Sequence, residues 1–190
     1  VEEAQRYDEQ LVTCWSELAE RRLDDTGLKL LGLRAKLGGV GAHYARDRRC
    51  AAYFASGSAA VEALVEDLNC STVADALDKV PLAASKLEEA RQGLVAQGVH
   101  FSEGATLANA LQHPSPQSLL MLCVQKNQRA ALLQFLPQQQ QAEVRGAGGP
   151  GSTGFLAFPS EPVCSVEDAD WSTSLRKRLL CKRPECNQQE

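Results

Sequence analysis

Apolar residues recur at helical spacing along most of this chain. Between residues 5 and 23, Tyr7, Leu11, Trp15 and Leu18 follow one another at four, four and three positions, which sets them on one face of a helix. Asp24, Asp25, Thr26 and Gly27 interrupt the stripe. The segment 28–37, with Leu30, Leu31 and Leu33, either continues that helix or starts a new one capped by Asp25 or Thr26. Gly38, Gly39 and Gly41 close it. They follow a helix and precede no Lys-Ser/Thr pair, so they read as a helix cap and turn and not as a phosphate loop.

The longest pattern covers residues 42–68, where Cys50, Phe54, Gly57, Val61, Leu64 and Leu68 repeat at three and four. Ala51, Ala55, Ala59, Ala60 and Ala63 flank it and let a neighbouring helix approach closely. Thr72 and Asp75 form a capping-box-like start for a helix turning Val73, Leu77 and Val80 inward, and Pro81 kinks or restarts it. Ala84, Leu87, Ala90 or Arg91, and Leu94 carry the stripe on to Gly98, a C′ residue. A short helix is expected within 102–112. Ser115 and Pro116 then serve as N-cap and N1 of a helix over 116–136. Its block Leu119 to Val124 predicts burial on nearly all sides, at the centre of the bundle.

After Pro137 the pattern changes. A Gln run and a Gly-rich stretch read as a mobile linker over 138–165, carrying Phe155, Leu156 and Phe158, and 166–190 reads as a cysteine-containing tail with one short helix. The expectation is an all-α protein: an antiparallel bundle of three to four main helices plus short ones over 1–137, then linker and tail. Few aromatics, 5 % of the chain, agree with a core built from Leu, Ala and Val.

Seven cysteines change the picture, because helices bundle without covalent help. They are Cys14, Cys50, Cys70, Cys123, Cys164, Cys181 and Cys186. If the helices before and after Gly39 form a hairpin, Cys14 and Cys70 lie at the same end. Cys50 comes level with Cys123 when the short helix crosses the bundle top, and Cys164 pairs with Cys181 or Cys186. The odd count leaves one thiol free or bonded to a partner chain. Disulfide stapling points to an extracellular, cell-surface or secretory-lumen setting. Asn69, Cys70 and Ser71 add a glycosylation sequon at Asn69. The start Val1, Glu2, Glu3 lacks the order of a secretory signal, which suits a processed mature form or a trimmed one equally.

Net charge of -4 and a pI near 5.5 disfavour nucleic acid as a partner. No apolar run is long enough for a membrane span. No CxxC pair exists and His43, His100 and His113 stand far from Cys181 and Cys186, so neither metal nor cofactor is expected. Glu88 and Glu89, like Asp24 and Asp25, are adjacent and point apart on a helix, and no His stands in a motif with Cys or Ser. The function expected is therefore non-enzymatic: a helical interaction protein that binds another protein. Phe155, Leu156, Phe158, Trp171, Arg176, Lys177 and Arg178 are the partner-binding candidates. The alternative is an accessory structural subunit of a large organellar or cytoskeletal assembly.

Overall fold

Among the described residues every regular element is a helix and none is a strand. The structure, a computed structural model, describes residues 2–102, 104–112, 116–149 and 168–181, the side chains of 168 and 169 excepted. The helices are α1 (Glu2–Leu18), α2 (Asp25–Gly32), α3 (Ala45–Asp67), α4 (Val73–Lys79), α5 (Pro81–Ala96), α6 (Leu107–Leu111), α7 (Gln117–Phe135), α8 (Gln138–Gly146) and α9 (Asp168–Arg178), with a 3-10 turn at Ala35–Leu37.

Side-chain caps set several starts. The Asp24 carboxylate, and not Asp25 or Thr26, accepts from the Gly27 N–H at 2.8 Å and opens α2. Thr72 caps α4 through the Asp75 N–H, and Thr106 caps α6 through that of Asn109. Pro81 occupies the first turn of α5, so it restarts the helix. Four helices end alike, in paired 6→1 and 5→2 bonds around a left-handed residue: Glu20 after α1, Asn69 after α3, Gly98 after α5 and Leu180 after α9. Only Gly98 adopts that conformation without steric cost.

The described residues divide into two compact units. Ala45–Gln128 form one; residues within Val1–Tyr44 and Arg129–Glu190 form the other. The expected division at 137 and 165 does not coincide with these units.

In the contiguous unit, α3 and α5 run antiparallel: Gly57 meets Leu87 and, seven residues earlier, Cys50 meets Gly93. A Cβ at Gly93 would lie 2.6 Å from the Cys50 sulfur, so close packing comes from the two glycines, while Ala59, Ala60 and Ala63 face solvent. The core gathers Ala51, Phe54, Val61, Leu94, Leu111 and Val124. Phe54 meets Phe101 at 5.2 Å with tilted rings, and the Ser58 hydroxyl donates to the Leu111 carbonyl at 2.9 Å, joining α3 to α6. The Asn127 amide of α7 donates to the carbonyls of Gln97 and Gly98, at 3.3 and 2.7 Å. The apolar block of α7 is two-faced. Leu120, Met121 and Val124 are buried, but Leu119 is 55 % exposed and Cys123 is exposed, since only one side of the helix meets the core.

The discontinuous unit buries Leu30, Leu31 and Leu33 with Leu132, Val144, Leu175 and Leu179. Its α8 occupies the start of the segment read as linker. Val144 is buried against Gly38, and the Gly149 N–H donates to the Lys36 carbonyl at 3.1 Å, so the Gln run folds onto the 3-10 turn. Helix α9 belongs to this core too, with Leu175 and Leu179 wholly enclosed. Gly39 takes its place because a Cβ there would run into the carbonyl oxygens of Leu30 and Leu33.

The expectation of disulfide staples needs correcting: Cys14, Cys50, Cys70, Cys123 and Cys181 are free thiols. Cys50 is buried beneath Gly93 whereas Cys123 faces solvent, so the two do not confront each other. The Cys14–Cys70 pairing rested on a hairpin of the helices before and after Gly39, but the chain already turns at Glu20 and restarts at Asp24. Cys164 and Cys186 lie outside the described residues.

Candidate functional site

The partner-binding candidates of α9 are engaged within their own unit. Trp171 is half-buried and stacks on Trp15 of α1, ring centroids 6.4 Å apart. Arg176 pairs with Glu20 at 2.9 Å and donates to the Thr173 hydroxyl. The Arg178 guanidinium donates to the carbonyls of Gly39 and Ala35, each at 2.8 Å. Burial pulls the Arg178 pKa below its ordinary value, although a guanidinium stays charged. Lys177 is exposed. With Glu143, Val144, Ala147, Ser174 and Leu180 it lines a cavity of about 450 Å³ between α8 and α9. Phe155, Leu156 and Phe158 lie outside the described residues.

Asn69 is exposed and serves the fold directly as the left-handed residue that ends α3. Asn tolerates that conformation better than most residues, so the fold accounts for an Asn here whether or not it carries a glycan. Cys70 beside it is half-buried, its thiol 3.6 Å from the Leu68 carbonyl.

What the candidates did not include is apolar surface on helices already packed. On α1, residues at positions 8, 12, 15 and 19 turn toward the core, with Asp8 and Ala19 buried and Val12 and Trp15 half-buried. Tyr7, Leu11, Cys14 and Leu18 form an adjacent ridge at spacings of four, three and four. Tyr7 is 52 % and Leu18 44 % exposed, Cys14 is exposed and Leu11 half-buried. On α7, Leu119, half-buried Leu122 and Cys123 make a second, shorter strip. Phe135 at the end of α7 is 81 % exposed and Leu82 of α5 76 %. The signal for the α1 ridge lay in its sequence: more apolar positions than one face can bury.

Ion pairs Arg46–Asp47, Lys86–Glu89 and Arg91–Glu88 lie within the contiguous unit. Arg91 holds Glu88 through two 2.7 Å hydrogen bonds, which lowers the Glu88 pKa, and the same guanidinium sits over the Phe101 ring at 5.9 Å. Among the described residues no group of three or more His, Cys, Asp or Glu gathers as metal ligands would. No described helix is long and apolar enough to cross a membrane.

These features define an all-helical protein with open apolar helix faces. Compared with protein-family models, with curated proteins and with solved structures, the chain matches none.

Proposed function

We propose that the protein is a non-enzymatic helical interaction protein that binds another protein through its helical surface. The observation that carries this reading is the row of exposed Tyr7, Cys14 and Leu18, in register with Leu11, which itself packs partly on the core, on a helix whose other face is already packed. Single exposed apolar residues are ordinary on a protein surface; contiguous ones mark contact sites.

The cysteine content supports an extracellular, cell-surface or lumenal setting, with a glycan at Asn69 and a bond involving Cys164, Cys186 or a partner chain as parts of that proposal. Five free thiols favour the second reading, an accessory subunit of an organellar or cytoskeletal assembly.

Affinity capture with the whole chain, run beside Leu18→Ser and Leu119→Ser variants, tests the interaction. One protein should be enriched by the parent and lost with a variant; no such protein in either a secretory or a cytosolic fraction would sink the reading. Intact mass under reducing and non-reducing conditions, with and without glycosidase, decides between the settings.

A further inference from the structure

Helix α1 concentrates the acidity of this protein. Glu2, Glu3, Asp8, Glu9 and Glu17 stand against Arg6, a net of -4, and -4 is also the excess of 24 acidic over 20 basic residues in the whole chain. The remaining residues are therefore balanced. Glu3, Gln10 and Glu17 recur every seven residues and so run along the outer edge of the Tyr7–Leu18 ridge, while Asp8 and Trp15 follow its inner edge toward the core.

From the ridge and its acidic edge we infer that α1 docks a cationic amphipathic helix of a partner protein, with aliphatic residues against Tyr7, Leu18 and the outer side of half-buried Leu11 and Lys or Arg beside Glu3 and Glu17. The assignment rests on the protein-binding reading above and names the partner's chemistry. Between Tyr7 and Leu18 the ridge spans about 16 Å at ~1.5 Å per residue, the length of three helical turns. Spacings of four, three and four are those at which two helices interdigitate along a seam. Charge selects the occupant. A second copy placed antiparallel would set Glu3, Gln10 and Glu17 against the same acidic edge, and a parallel copy would need the inner edge, which the core already occupies. Lys and Arg flanking an apolar stripe meet no such conflict.

The test uses the full chain and labelled synthetic helices carrying leucines at these spacings, flanked either by lysines or by glutamates, with binding read by fluorescence anisotropy. The lysine peptide should bind, weaken as salt rises, and bind about tenfold less tightly to Leu18→Ser and to Glu17→Lys. Both positions are exposed, and circular dichroism with a melting curve shows whether each variant keeps its fold. Equal binding of the glutamate peptide, unchanged binding by both variants, or a dimer of the parent chain that Leu18→Ser dissolves would each overturn the inference. Such a result, with partner capture still lost in Leu119→Ser, would leave the wider protein-binding reading standing.

Discussion

The indole of Trp15 lies on that of Trp171, with centroids 6.4 Å apart and planes inclined by 26°. One belongs to the first helix and the other to the last described one, so the stack joins distant parts of the chain inside a single unit. These are the only two tryptophans in the sequence. Their emission therefore reports the seating of α9 on α1 with no background. Trp171→Ala should destabilise this unit by about 1–3 kcal/mol, and a double-mutant cycle with Trp15→Ala should return a coupling of about 1 kcal/mol. Denaturant titration followed by circular dichroism checks both.

Arg178 presents a sharper case. Its two hydrogen bonds to Gly39 and Ala35 satisfy carbonyls of the 3-10 turn, which Arg178→Ala would leave without this donor. The expected loss is about 2 kcal/mol. Lysine should not restore it, because an ammonium cannot present the fork that reaches both oxygens. Urea unfolding of the two variants beside the parent gives the comparison.

Asn69 separates a structural role from a glycan. Asn69→Gly removes the sequon but keeps the left-handed turn, so stability should hold or rise by a few tenths of a kcal/mol. Asn69→Val should cost about 1–2 kcal/mol, since a branched side chain resists positive φ. Melting of unglycosylated protein isolates this effect.

The thiols should react in order of access. Cys14 and Cys123 should alkylate first and buried Cys50 last. Burial pushes the Cys181 pKa up, and the Asp24 carboxylate adds to the rise. Its alkylation should therefore lag an ordinary thiol at pH 8 and recover as pH climbs. Asp24→Asn keeps a good N-cap and should quicken it modestly. Timed quenching with peptide mass spectrometry resolves each cysteine.

Glu88 carries the acid-side prediction. Its hydrogen bonds from Arg91 lower its pKa below 4.5, so the pair contributes stability above the unfolded value and loses it as pH falls through the folded one. Both side chains are partly exposed, at 22 % and 31 %, and solvent screening holds the contribution to about 1 kcal/mol or less. Melting temperatures of Glu88→Gln and parent should converge below that pH and differ above it.

Much of the helical content was legible because periodicity and caps speak locally. Thr72, Pro81 and Gly98 mark the same boundaries in sequence and structure. What escaped depends on contacts remote along the chain. The Gln run reads as linker because it offers little apolar surface, yet Val144 seats it against Gly38 and the Gly149 N–H bonds the Lys36 carbonyl. Spacing put Trp15 in one stripe with Tyr7, Leu11 and Leu18; only packing separates the inward residue from the ridge beside it. Cysteine count suggested bridges, but which way a sulfur faces is a tertiary property, and Cys50 faces α5. Arg176 and Arg178 look like a free basic patch until their partners at Glu20, Ala35 and Gly39 come into view.

Because Leu175 and Leu179 complete a core begun by Leu30 and Leu31, this unit cannot close during translation until residue 179 has left the ribosome. Its neighbour, uninterrupted from Ala45 to Gln128, has every residue it needs well before then. A premature stop after α8 should thus release a polypeptide whose middle is native and whose amino-terminal leucines lie bare, a substrate for chaperones and proteases.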